Sequence, residues 1–163
     1  MEPEKSEKYF DPKEYSTLTL KLETNTKSDK KTLDVLASLM SDPKSDDIKT
    51  ELFDILKTDP SAVQVLIDAI KAPQLLKIQP ILISLCWESG ADFSKHLSYF
   101  VDLAINGDFQ TSFEAITVID SLEGNPTDTE LAFAKQKVTI AASNVNKDKA
   151  ALLLQLKDLL NTI

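Results

Sequence analysis

Apolar residues recur along the chain in a block written three times without gaps between Leu33 and Gly124. Val35 and Leu36, then Pro43, then Ile48, Leu52 and Ile55 form one copy. Val65 and Leu66, Pro73, Ile78, Leu82 and Leu85 repeat it 30 residues later. A further shift of 34 carries Leu66, Ile67, Asp68, Leu75, Leu82, Leu85 and Gly90 onto Phe100, Val101, Asp102, Phe109, Ile116, Ile119 and Gly124. Each copy reads as two apolar helices around a short turn. The boundaries predict helices over 29–41, 45–58, 61–72 and 74–88, the last bent at Pro80. Further helices are predicted from Asp92 or Ser94 to Ile105, from Asp108 to Leu122, over 127–143 and over 147–161.

Self-similarity at this period signals stacked helical hairpins, because one hairpin cannot bury its apolar face alone. The reading is therefore all-α: an α–α superhelix, or solenoid, of three to four hairpins over residues 29–163. Residues 1–28 form a polar segment with room for a short capping helix. There Asp11, Pro12 and Glu14 carry helix-start signals. The strict alternation of Thr17-Leu18-Thr19-Leu20-Lys21-Leu22 argues strand instead. A helix is favoured, since a helical stack offers a lone strand no partner.

Angular position separates inner from outer helices. At about 100° per residue, the apolar residues of 74–88 cover an arc of roughly 240°, which implies contact from both sides. Leu152, Leu153, Leu156, Leu159, Leu160 and Ile163 fit within roughly 120°, as a terminal helix with one wet side requires.

The chain's unit of apolar helix, short Asp-Pro or Asn-Gly-Asp turn and second apolar helix resembles a HEAT or armadillo-type repeat. Leu36 through Ser41-Asp42-Pro43 to Ile48, Leu52 and Ile55 is the nearest match. The resemblance covers about Leu33 to Gly124 and extends loosely over the last two helices. The basic residue that such repeats often carry early in the second helix is Lys49 in one copy, but Gln79 and Phe113 in the others. The resemblance implies a superhelical fold whose second helices line a concave face; the family has no common chemistry.

Composition narrows the function. With 3 glycines in 163 residues, a turn-dense β fold is disfavoured. The single cysteine excludes an internal disulfide and a cysteine-rich zinc site. No long apolar run is available to span a bilayer. The opening Met1-Glu2-Pro3-Glu4-Lys5 lacks the basic start and apolar stretch of a secretory signal, which points to the cytoplasm. Net charge is -8, all 18 basic residues are lysines, and residues 1–31 are balanced at 7 acids and 7 lysines. The excess negative charge thus belongs to the repeats. Without arginine, the usual reader of phosphates and base edges, an acidic chain is poorly suited to nucleic acid. A charged partner should be basic or neutral.

Residues able to do chemistry are few. His96 is the only histidine, so no two-histidine metal site exists. Cys86 falls among core positions, where a thiol is inert packing. Asp46-Asp47 and the pair Asp68 and Asp102 read as caps and exposed helical carboxylates, not as an acid–base dyad. No phosphate-binding glycine loop occurs, and proline spoils the Asn125-Pro126-Thr127 sequon. No cofactor and no catalytic residue is expected.

One surface row stands out. Phe53, Ile83 and Thr117 occupy equivalent positions in successive second helices, and Lys57, Trp87 and Ser121 adjoin them. With Glu114 alongside, Phe53, Ile83, Trp87 and Thr117 are the candidate partner-binding residues, rimmed by carboxylates such as Asp54, Glu88 and Glu114. Such a face suits a peptide or helix; the alternative is that Phe53 and Trp87 fill seams between repeats. The favoured reading is a non-enzymatic protein-interaction module or scaffold. The second is a structural or regulatory subunit that homo-oligomerises. The third is an enzyme like the HEAT-like DNA glycosylases, which the acidic charge, missing arginine and lone histidine disfavour.

Overall fold

A computed structural model of the chain describes residues 26–163. Regular structure among them is all helical: eight α-helices and two 3₁₀ turns. The expected capping helix at Asp11 and the alternating stretch Thr17–Leu22 lie outside the described residues. Two compact units divide between Gln79 and Pro80. No described helix is long and apolar enough to cross a membrane.

In the N-terminal unit, α1 (Lys27–Ser41) starts two residues earlier than its apolar pattern. Thr26 explains this: its hydroxyl accepts from Asp29 N at 3.0 Å, and the Asp29 carboxylate accepts from Thr26 N at 3.1 Å. This reciprocal cap satisfies two helix-end donors at once. Ser45 caps α2 (Asp46–Thr58), whose first turn carries Asp46 and Asp47 against the positive end of the dipole. Asp59 then ends α2 and opens α3 (Pro60–Lys71), with proline in the first turn as its missing N–H allows. The Asp59 carboxylate accepts from Ser61 N at 2.9 Å and from the Ser28 hydroxyl of α1. These donors, Ser28 foremost, hold its pKa below the usual carboxylate value. The helix α1 packs on both α2 and α3, which also touch each other. Leu36, Leu52, Leu56, Leu66, Ile67 and Ile70 are buried.

The helix expected over 74–88 is two pieces. Pro73–Ile78 is a 3₁₀ turn, and α4 runs Gln79–Ser89. Pro80 therefore lies in the first turn of α4 and bends nothing, since a proline interrupts a helix only where its N–H would be needed. Gln79 Nε2 donates to Ile70 O at 3.0 Å, covering a carbonyl left open at the end of α3. The break changes the angular phase, so the broad apolar arc does not form. Leu75, Ile78, Leu82, Ile83, Leu85 and Cys86 are buried, whereas Leu76 is 55% exposed and Ile81 and Trp87 also reach solvent.

In the C-terminal unit, Gly90 ends α4 with φ 64°, a left-handed turn that glycine takes without steric cost. A 3₁₀ turn over Ser94–His96 leads into α5 (Leu97–Asn106), shortening the helix expected from Asp92 or Ser94. Asp108 caps α6 (Phe109–Asp120), accepting from Thr111 N at 2.8 Å. Thr127 and Glu130 form a capping box for α7 (Asp128–Ala142), and Asn146 caps α8 (Lys147–Leu160). Gly124 is needed for close approach: a Cβ there would stand 2.4 Å from Ser94 Oγ.

Packing in this unit follows a rule. Neighbours in sequence pair, α5 with α6 and α7 with α8; alternate helices also pair, α5 with α7 and α6 with α8. Between them, Phe93 and Phe100 meet edge to face at 6.1 Å, and Val101, Ile119, Val138 and Leu156 are buried. Lys137 Nζ on α7 reaches Asp102 on α5 at 2.8 Å. The last helix buries Leu152, Leu153, Leu156 and Leu160, leaves Leu154 to solvent, and ends before the exposed Ile163. One-sided burial of α8 is as its pattern predicts. Burial differs most between Leu75, which is buried, and its equivalent Phe109 at the first position of α6, which is exposed; Ile48 and Ile55 are half-buried where Ile78 and Leu85 are buried.

Candidate functional site

The C-terminal unit brings three of the five sequence-selected residues onto one face. Trp87 projects from α4 and keeps 37% of its surface exposed. Its indole Nε1–H donates to Glu114 Oε2 on α6 at 2.9 Å. Thr117 lies three residues on from Glu114, and residues at that spacing share a helix face. Thr117 is half-buried, its hydroxyl donating to Phe113 O at 2.9 Å.

Ile83 does not share that face, and Phe53 belongs to the other unit. Ile83 is fully buried, so it packs the core and offers a partner nothing. Its branched side chain falls on the inward side of α4, one residue from Leu82. Phe53 belongs to α2 of the N-terminal unit, where it is half-buried next to the exposed Asp54. Of the expected rim, Glu88 is half-buried and Glu114 is taken up by the indole.

Beside Glu114 the face opens into a groove of about 480 Å³ between α6 and α8. Phe113, Ile116 and Thr117 form the α6 wall; Leu152, Gln155 and Leu159 form the α8 wall. Asp120, Asp158 and Thr162 complete the lining. Phe113 is 51% exposed, a large apolar area for one residue to leave in water. Caps at Asp108 and Asn146 set where α6 and α8 begin, and hence which side chains meet across the groove. Thr117 was legible from the repeat; Phe113, Asp120, Leu159 and Asp158 were not. The last hairpin has no copy in the three-fold alignment, so α8 contributed no equivalent row. Phe113 was visible only as an apolar residue in a slot where the resemblance expects a base.

A second recess, about 550 Å³, lies at the turns, lined by Asp108, Phe109, Val145, Asn146, Asp148 and Lys149 among others. Its cation is committed to structure. Lys149 Nζ donates to Gly107 O at 2.6 Å and to the Ser112 hydroxyl. Desolvation lowers the pKa of this amine, against the opposing pull of Asp108.

No group of three or more His, Cys, Asp or Glu among the described residues is arranged to hold a metal ion. Cys86 is completely buried, and burial pushes its thiol pKa well up. A thiol so placed is a weak nucleophile. Asp92 accepts from Ser94 N at 2.9 Å, which lowers its pKa; His96 is half-buried at the end of the same turn.

The chain matches no family model, no characterised protein and no solved structure. The functional reading therefore rests on the groove and its surroundings.

Proposed function

We propose that the protein is a non-enzymatic interaction module of the HEAT/armadillo-like helical-repeat kind, which takes a peptide or helix of another protein on the face presented by second helices. The observation that carries this is the open groove between α6 and α8, with exposed Phe113 in its wall and the Trp87–Glu114 bridge beside it. Aromatic side chains held by neighbours on rigid helices are the usual anchors of protein interfaces. The alternate pairing of α5 with α7 and α6 with α8 supports a repeat architecture, since stacked hairpins set first helices beside first and second beside second.

The test is selection of peptides from a random displayed library against the full chain. Selected peptides should lose binding to Phe113→Ser and Thr117→Lys while both variants keep helical content by circular dichroism. Peptides that bind both variants unchanged would remove the groove.

A second reading, self-association, is favoured by a different observation. Phe133 and Ile140, 62% and 60% exposed, lie two turns apart on one side of α7. Light scattering across a concentration series separates the two: a monomer at all concentrations rejects it, and a dimer abolished by Phe133→Ser supports it.

A further inference from the structure

Resting on the reading of this groove as a protein-binding site, we infer that its partner is a cationic amphipathic segment. An apolar side chain enters between Phe113 and Leu159, over a floor of Ile116 and Leu152, while lysine or arginine meets Asp120 and Asp158.

The placement of the two carboxylates carries the inference. Asp120 is the last residue of α6, and Asp158 lies in the last turn of α8. A helix C-terminus already carries partial negative charge and open carbonyls, so an acid there opposes the dipole. Both helices that frame the groove make this choice at the same end. Among the described residues, α6 contains no lysine and no lysine lines the groove, so the only offset is Lys157 in the last turn of α8. Lys157 shares the last turn of α8 but is not among the lining residues. A local rule broken twice, beside an exposed phenylalanine, marks a surface kept for something else. What the groove lining lacks among the described residues is a positive charge. An incoming segment that carries one would be steered by the same field that its apolar anchor then leaves.

The test uses the full chain and three fluorescent helix-forming peptides of about 14 residues, roughly 21 Å of helix and so the length of α8. One alternates leucine and lysine at amphipathic spacing, one has glutamine for each lysine, and one has serine for each leucine. By fluorescence anisotropy at low salt, the leucine–lysine peptide should bind roughly three- to tenfold tighter than the leucine–glutamine peptide, the sum expected of two exposed ion pairs. That advantage should vanish in the double variant Asp120→Asn with Asp158→Asn and shrink as salt rises. Phe113→Ser should weaken both leucine peptides. Equal binding of the two leucine peptides would overturn the charge inference and leave the groove standing. Serine–lysine binding as tight as leucine–lysine binding would overturn the inference too, since it would report net charge alone with no apolar anchor in the groove. If no peptide binds, or if Phe113→Ser changes nothing, the groove reading falls and the inference with it.

Discussion

Lys149 Nζ, near the start of α8, donates to Gly107 O at 2.6 Å, in the turn that joins α5 to α6. The two residues are 42 apart in sequence, and the same amine also meets the Ser112 hydroxyl. Lys149→Met would remove both bonds and leave Gly107 O with the 3.3 Å bond from the Ser112 hydroxyl, at a cost of about 0.5–1.5 kcal/mol in urea unfolding. The pH dependence has a definite sign. Burial lowers the folded-state pKa of Lys149 below its ordinary 10.5, so in the window between the two values the unfolded chain binds more protons. Stability from this residue therefore rises with pH across that window. Tyr99 acts oppositely, because burial raises its pKa to about 12 and its contribution is lost as pH climbs from 10 through that value. Subtracting Lys149→Met from wild type isolates the lysine: the difference in unfolding free energy should grow as pH approaches 10.5. A flat difference would show that the amine is not desolvated.

At the acid end the residue to follow is Asp59. Its carboxylate caps α3 through Ser61 N and holds the Ser28 hydroxyl of α1. Hydrogen bonds to the charged form lower its pKa, Ser28 first, so its contribution is present above 3.8 and disappears as pH falls through the lowered folded value. Asp59→Ala should cost about 0.5–2 kcal/mol at neutral pH, the usual value of an N-cap. As pH falls below 3.8 and through the lowered folded value, the variant and wild type should converge in thermal melts. Ser28→Ala should reproduce part of the pH effect while leaving the α3 cap in place.

A paired substitution tests the break at Gln79. Leu82 is 1% exposed and Leu76 is 55% exposed, although both belonged to one apolar helix by pattern. Leu82→Ala should destabilise by about 2–5 kcal/mol, as truncation of a buried leucine does. Leu76→Ala, a surface change, should stay within about 0.5 kcal/mol. Comparable losses from the two would mean that 74–88 is buried from both sides after all.

How far the sequence carried depends on which physical signal was read. Caps were legible because they are local: Ser45, Asp59 with Pro60, and Asp108 start helices where short-range hydrogen bonding says they should. Burial of the repeat positions Leu36, Leu66 and Phe100, or Leu52, Leu82 and Ile116, was legible because period and packing agree there. The change from 3₁₀ to α at Gln79 was not, since proline is equally compatible with a kink and with a first turn. That ambiguity shifted the phase of α4 and placed Ile83 on the wrong side. The groove lay further out of reach, because it needs the register of α8 against α6, and no pattern in either helix alone encodes that register.

Trp87 offers a direct probe of the face, being the single tryptophan of the chain. Its indole N–H is held by Glu114 at 2.9 Å, yet more than a third of the residue is exposed. Two effects compete when the carboxylate is removed. A hydrogen bond to a charged acceptor is worth about 1.5–3 kcal/mol when water cannot replace it. At an exposed site water can, and charged contacts there fall to about 0.2–1 kcal/mol. Exposure decides for the smaller figure, so Glu114→Ala should lower stability by less than about 1 kcal/mol. The local effect should be larger than the global one: freed from its acceptor, the indole should become more accessible to acrylamide, and its emission should move to longer wavelength. Glu114→Gln keeps an acceptor oxygen and should restore most of the wild-type emission. Identical quenching in wild type and Glu114→Ala would mean that α4 and α6 do not present a joined surface.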